Sequence, residues 1–200
     1  MEDFSSYKLP DDRGEAIAIM SNALGCFLKK AYGDGILVGA VGIGGSGGTS
    51  LIAPALRSLP LGVPKLIMST VASGQTEPYV GTSDLTLFPS IVDICGINNV
   101  SRVVLSNAGA AAAGMIVGKL LASDASVEMT WKPTVGITMF GVTTPCVTSV
   151  KERLMNEGYE TLVFHATGVG GKAMEELVRA GFIQVIINLS LLELHVTGCL

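Results

Sequence analysis

The sequence has 200 residues, of which 48% are hydrophobic and 15% charged, enough apolar material for one large domain or two small ones. The net charge of -4 argues against a nucleic-acid partner, because binding by counterion release needs the clustered Lys and Arg that this chain lacks. Its four cysteines are far apart and form neither a zinc pattern nor a disulfide framework, so we expect reduced thiols, no metal site and a cytoplasmic location.

The first predicted element is a helix over residues 13–31, which follows a polar segment at 1–12. Apolar residues recur there at helical spacing, and Asp12 is suited to cap the N-terminus of the helix. Arg13 is unusual in the first turn, because a cation there opposes the helix dipole. A bound anion or a surface ion pair with Asp12 or Glu15 would offset that repulsion, and the sequence favours the two equally.

The central feature of the sequence is a run of glycines between a predicted strand at 36–43 and a predicted helix at 49–59. Glycines at such a junction expose backbone N–H groups at the positive end of a helix dipole, so a phosphate is the expected ligand. The run fits both the dinucleotide pattern G-x-G-x-x-G and the nucleophile-elbow pattern G-x-S-x-G. The candidate phosphate contacts are Gly45, Ser46, Gly47 and Gly48, with Gly44 and Thr49 as further candidates.

A second strand is predicted at 65–71, and it contains Ser69 and Thr70 near its end. Dinucleotide-binding folds usually have an Asp or Glu at this place to hold the ribose hydroxyls, so the pattern is incomplete here. A long polar loop at 72–84 follows and is expected to close over the glycines. Two short strands are predicted next, at 85–88 and 91–94.

An Ala- and Gly-rich helix is predicted at 99–121. It contains the membrane-helix motif G-x-x-x-G at 114–118. Its apolar run at 103–118 is shorter than the roughly 18 residues that a membrane span needs, and polar residues interrupt it. We therefore expect a buried core helix and no membrane contact.

The rest of the chain repeats the order of strand, loop and helix. Strands are predicted at 134–140 and 161–165, each followed by a helix, the second at 172–180. Parallel strands would bring the intervening loops to one sheet edge, where α/β folds bind ligands. Thr144, Gly170 and Gly171 are therefore additional candidate contacts. The expected fold class is α/β, with a Rossmann-like, mainly parallel sheet, helices on both faces and one or two subdomains.

Ser46 has a second interpretation, as the nucleophile of a serine hydrolase. With His165 as base and Asp84, Asp93 or Asp124 as acid, the chain order matches that of α/β-hydrolases. Ser46 lies too near the start of the chain for the preceding strands that build the oxyanion hole of that fold, so phosphate binding is preferred. A protein-interaction fragment without a small ligand is the third alternative.

Several segments closely resemble the family of the plant tomato mosaic virus resistance protein, an inhibitor of tobamovirus RNA replication; they are residues 13–20, 44–50, 69–75, 81–84, 92–100 and 164–171. The resemblance implies a two-part Rossmann-like domain that binds ATP or ADP, with or without Mg²⁺. It implies that Arg13 and the glycines at 45–48 contact the nucleotide. It also implies a viral replication protein as partner, and a homodimer is a further expectation.

The resemblance sets expectations for domain organisation as well. It covers residues 13–184, which we expect to form the ATP-binding domain, followed by a divergent tail at 185–200. Members of the family have an earlier strand and helix with a Thr-Asp-Thr-Lys motif, and plant members have a C-terminal barrel domain. We expect this chain to lack both.

Overall fold

The computed structural model describes residues 8–124, 132–166 and 168–189. Strands and helices alternate along most of the chain, and all the strand pairs are parallel within these ranges. The chain divides into two compact units, at 1–126 and 127–200. The predicted α/β class with parallel sheets is therefore confirmed, and the boundary between the units falls inside the predicted 13–184 domain.

The described part of the first unit contains a three-stranded sheet and its helices. Its elements are α1 (Arg13–Gly33), β1 (Ala40–Gly44), α2 (Ser46–Arg57), β2 (Lys65–Ser69), α3 (Glu77–Val80), β3 (Thr86–Pro89) and α4 (Asn99–Asp124). The strand order is β1-β2-β3, with Gly42 beside Ile67 and Met68 beside Phe88. Since the strands are parallel, their carboxyl ends lie at a single edge of the sheet.

Helices cover both faces of β2, the central strand. On one face Ile67 packs with α1 and α2, in a core that includes Leu28 and Leu56. On the other face Leu66 and Met68 pack with residues of α4. All five residues of β2 are buried, as expected for a strand covered on both sides.

Helices α1 and α2 run in the same direction. Near their N-termini, Arg13 approaches Gly47; further along, Gly25 lies close to Ala55 and Ser58. A Cβ atom at Gly25 would lie only 3.4 Å from the Ser58 Oγ, so the glycine permits this close packing. The N-termini of both helices therefore lie at the same end of the unit.

Helix α4 is buried on one face only. Val104, Ala108 and Ala112 contact the sheet, whereas Val103 and Val117 are more than half exposed. Residues 99–122 are apolar and long enough to cross a membrane by length and composition, and 17% of their most apolar window is buried. The prediction of a buried core helix is therefore correct for the side of α4 that packs on the sheet and wrong for the exposed side.

The second unit has its own parallel sheet. Its described elements are β4 (Thr134–Met139), α5 (Thr144–Asn156), β5 (Glu160–His165), α6 (Val169–Arg179) and β6 (Val185–Asn188), in the strand order β5-β4-β6. Val135 and Ile137 pack with Val147 of α5, while Gly136 faces Met174 of α6 and Ile183. Strand β6 occupies the start of the predicted tail, and the residues at 190–200 lie outside the described ranges.

The predicted strand at 91–94 is wrong. The backbone after β3 turns instead, because Ser90 donates its hydroxyl to the carbonyl of Val92 and Ile91 has a positive φ of 66°. Ile91 is 77% exposed, so this segment has no core face that would favour an extended strand.

Candidate functional site

The junction between β1 and α2 is tighter than the sequence suggested. Strand β1 ends at Gly44 and α2 begins at Ser46, so Gly45 alone separates them, as the N-cap residue. The predicted glycine-rich loop is therefore mostly the first turn of a helix, and that helix starts three residues before the predicted Thr49. Low helix propensity made these glycines resemble a loop in the sequence.

Close contacts explain why glycines occupy the junction. A Cβ atom at Gly44 would lie 3.0 Å from the Cα of Gly48, so a larger residue would push the helix away from the strand. A Cβ atom at Gly47 would lie 2.6 Å from a guanidinium nitrogen of Arg13. The missing side chain at Gly47 thus leaves room for the arginine against the helix backbone.

The N-terminus of α2 has no side-chain cap. An α-helix leaves its first N–H groups without internal partners, and Gly45 offers no side chain to cap them. Within the described ranges, no hydrogen bond is made by the amides of Ser46, Gly47 or Gly48. The glycine pattern of the sequence predicts phosphate contacts at these three residues.

Arg13 brings a full positive charge to the same place. Asp12 caps α1 by accepting a hydrogen bond from the Glu15 amide at 2.8 Å, and in the described part of the chain neither acid forms an ion pair with Arg13. The guanidinium and the positive end of the α2 dipole repel each other at this distance. An anion between them would remove that repulsion, which favours the anion interpretation of Arg13 over the surface ion pair.

Thr49 has a structural role rather than the predicted contact with a ligand. Its side chain is fully buried, and its hydroxyl donates to the Gly45 carbonyl at 2.8 Å. The same oxygen lies 2.6 Å from the Ser69 Oγ, which also accepts a hydrogen bond from the Val71 amide. These bonds fix the start of α2 against the end of β2.

A groove lies beside the junction. It has a volume of about 450 Å³ and is lined by residues between Thr70 and Tyr79, inside the predicted functional loop. The loop also contains α3, which the sequence did not predict. The Thr70 hydroxyl oxygen would lie 3.6 Å from a Cβ at Gly45, so the groove begins next to the candidate phosphate site.

The candidate residues of the second unit lie at the carboxyl edge of its own sheet. Thr144 begins α5 and donates its hydroxyl to the Gly141 carbonyl at 2.9 Å. Gly170 and Gly171 lie in the first turn of α6, which again begins three residues earlier than predicted. A Cβ at Gly170 would overlap the carbonyl oxygen of His165, so this glycine permits α6 to approach β5.

The serine hydrolase interpretation has little structural support. Asp84 forms an ion pair with Lys65 at the start of β2, the sheet edge opposite to Ser46. The carboxylate of Asp93 accepts a hydrogen bond from the adjacent Ile94 amide, and the side chain of Asp124 lies outside the description. Neither histidine of the sequence belongs to the unit that contains Ser46.

The described residues contain no cluster of His, Cys, Asp or Glu that could hold a metal ion. The junction itself fits a phosphate, because it combines three unpartnered amides, one guanidinium and glycines whose absent side chains leave space.

Both parts of the chain match the models of a known protein family. Residues 2–120 match the N-terminal domain of the uncharacterised protein family UPF0261, and residues 132–198 match its C-terminal domain. The chain belongs to the UPF0261 family. Each matched region falls within one of the two compact units, and the second match includes residues 185–198 of the predicted tail.

Relatives in the UPF0261 family come from a plant and from bacteria. The chain is 67% identical over 183 residues to the ToMV resistance protein Tm-1 of Solanum lycopersicum, and 67% identical over 186 residues to the ToMV susceptible protein of the same plant. It is 47% identical over 182 residues to a UPF0261 protein of Clostridium tetani. These matches cover 91–93% of this chain, 24–25% of the tomato proteins and 44% of the bacterial one.

Proposed function

We propose that the first unit is a nucleotide-binding module for ATP or ADP, whose phosphates lie at the N-terminus of α2. The amides of Ser46, Gly47 and Gly48 would donate to phosphate oxygens, and Arg13 would neutralise part of their charge. The proposal assigns no reaction to this site.

One observation carries the proposal: the Arg13 guanidinium lies against Gly47 at the free end of α2. A cation at a helix N-terminus is repelled by the positive end of the helix dipole, and an anion bound between the cation and the helix end removes this repulsion. Here the arrangement is built from two elements, since α1 supplies the arginine and the β1–α2 junction supplies the amides.

Calorimetric titration of the chain with ATP and with ADP tests this proposal. We expect Arg13→Ala to weaken binding by about 1.5–3 kcal/mol, or roughly ten- to hundredfold, because one charge-assisted contact is lost. Arg57→Ala is the matched control, because Arg57 is the last residue of α2, at the end of that helix opposite to the proposed phosphate site. Equal affinities of wild type and Arg13→Ala for ATP would contradict the proposed site.

We propose a viral replication protein as a partner, because the resemblance of the sequence implies one and two tomato relatives are named for their response to ToMV. The name of one tomato relative describes resistance to ToMV and the name of the other describes susceptibility, yet this chain is 67% identical to both. Bacterial UPF0261 proteins are 47% and 48% identical to this chain, so we infer that the function common to the family is not defence against a plant virus.

We also propose that the chain self-associates through the outer face of α4. That face consists of Val103, Ser106, Ala110, Ala113, Val117 and Leu120. Their spacing alternates between three and four residues, as in helices that pack against a second helix. All six side chains are exposed, and no charged residue belongs to this set.

A twofold axis between Ala110 and Ala113 would make this face self-complementary. Antiparallel packing would place Val103 of one copy opposite Leu120 of the other, with the small residues at the centre, where the helices approach most closely. The dipoles of the two helices would then oppose each other, which is the favourable arrangement.

A further inference from the structure

The groove next to the α2 junction differs in chemistry from the phosphate site beside it. Its lining includes Thr70, Val71, Ser73, Gln75, Pro78 and Tyr79. None of these side chains carries a charge at neutral pH. Resting on the proposed function, we propose that this groove holds the uncharged base and sugar of the nucleotide whose phosphates lie at α2.

The groove is in the right place for this role because Thr70 belongs to both sites. The Thr70 amide donates to the Gly44 carbonyl at 3.3 Å, which fixes the segment after β2 beside the junction. From Thr70 the lining continues away from the junction towards α3. A ligand with its phosphates on the α2 amides can therefore extend directly into the groove.

The polar groups of the groove are available to a ligand. Within the described ranges, the hydroxyls of Thr70 and Ser73 and the side-chain amide of Gln75 make no hydrogen bond. Together they offer both donors and acceptors, which match the sugar hydroxyls and the edge of a nucleobase. Among the residues that the structure describes, no carboxylate lines the groove, so a cationic ligand would meet no counter-charge from them.

The apolar part of the groove is held in place by the core. Tyr79 is only partly exposed and packs against the hydrophobic cluster of α1 and α2. Its amide donates to the Thr76 carbonyl at 3.0 Å, within the turn that begins α3. A fixed aromatic ring beside a proline provides a flat surface on which a heterocyclic base can stack.

The size of the groove agrees with a nucleoside. Small-ligand sites usually enclose about 300–1,000 Å³, and this groove has about 450 Å³. A phosphate alone would leave most of that space empty. A second charged group would meet no opposite charge in the lining, so a neutral body of this size is the better match.

Gly74 allows the groove to be blocked without disturbing the core. It lines the groove, has no atom within 4 Å of the place of its missing Cβ, and does not have a positive φ. Gly74→Phe would therefore fill the groove. Gly33→Phe is the matched control, since Gly33 has the same open surroundings at the end of α1. Ser73→Phe is a second blocking variant from an exposed position.

The experiment compares the affinities of ATP and inorganic tripolyphosphate for each variant by calorimetry, with thermal unfolding to confirm that each variant is folded. We expect the wild type to bind ATP at least about tenfold more tightly than tripolyphosphate, a gain worth about 1.4 kcal/mol. Gly74→Phe and Ser73→Phe should bind ATP no more tightly than tripolyphosphate, and their affinity for tripolyphosphate should equal that of the wild type. Gly33→Phe should retain both affinities.

The outcomes separate the groove from the phosphate site. Equal wild-type affinity for ATP and tripolyphosphate would overturn the nucleoside assignment while leaving an anion site at α2. Unchanged ATP binding by both folded blocking variants would overturn it as well. Failure of the wild type to bind either ligand would reject the proposed function, and the groove assignment with it.

Discussion

The glycines of the β1–α2 junction differ in what surrounds the place of the missing side chain. Gly44 lies against the backbone of Gly48, whereas Gly47 lies against the mobile end of the Arg13 side chain. At Gly48 the nearest atom to an added Cβ would be the Ile43 carbonyl, at 3.9 Å. Substitution by alanine should therefore affect stability at Gly44 and ligand binding at Gly47.

We expect Gly44→Ala to lower the free energy of unfolding by about 1–3 kcal/mol, because the added carbon crowds backbone atoms that cannot move independently. Gly47→Ala should leave stability almost unchanged, because the flexible arginine can move aside. It should, however, weaken ATP binding towards the value of Arg13→Ala. Urea unfolding and calorimetry of both variants would measure the two effects.

Gly48→Ala is the control for this comparison, because the added methyl group would have its nearest neighbour at an ordinary contact distance of 3.9 Å and the backbone amide is kept, so neither property should change strongly. If Gly47→Ala bound ATP as tightly as Gly48→Ala does, the position of Arg13 over the helix end would have no role in binding.

Among the secondary-structure elements, β2 begins with an ion pair that the sequence did not reveal. Lys65 is completely buried, and its Nζ donates to the carbonyls of Pro60 and Val63 at 2.7 and 3.1 Å. Asp84, just before β3, lies 2.6 Å from the same nitrogen and also accepts a hydrogen bond from the Gly62 amide. The pair thus joins the starts of two neighbouring strands.

We expect Asp84→Ala to destabilise the protein more than Lys65→Met. Removing the carboxylate leaves a buried ammonium group without its counter-charge, which costs about 3 kcal/mol or more. Removing the lysine leaves a carboxylate that is 32% exposed and can be hydrated. Denaturant unfolding midpoints of the two variants would show the order, and a reversed order would mean that Lys65 is not buried as described.

At the scale of the whole molecule, α4 presents an exposed apolar face within the described residues. The helix contacts β2 through one side, while the exposed set from Val103 to Leu120 lies on the opposite side. A continuous exposed apolar face of this kind usually marks an interaction site. The twofold arrangement described above makes a second copy the proposed occupant.

We expect Val117→Glu to convert a dimer into a monomer, because antiparallel packing would bury the new charge near Ser106 of the other copy. Val142→Glu is the matched control, since Val142 is an exposed valine of the other unit. Light scattering over a range of concentrations would determine the mass of each variant. A monomeric wild type at high concentration would contradict self-association through α4.

The sequence by itself determined the class of fold, the order of most elements and the position of the junction. Apolar runs gave the strands, helical periodicity and Asp12 gave α1, and the glycines marked the end of β1. These features depend on neighbours in the chain, so local patterns were sufficient to predict them.

Only the tertiary structure decided what these residues contact. The early starts of α2 and α6 depend on close approaches to strand ends, and glycine propensity alone predicts the opposite. The burial of Thr49 depends on Ser69 in another strand, and the single buried face of α4 depends on where the sheet lies. Contacts between residues distant in the chain leave no local pattern in the sequence. The sequence therefore predicted Arg13 as a candidate, and only the fold shows that its guanidinium lies beside Gly47.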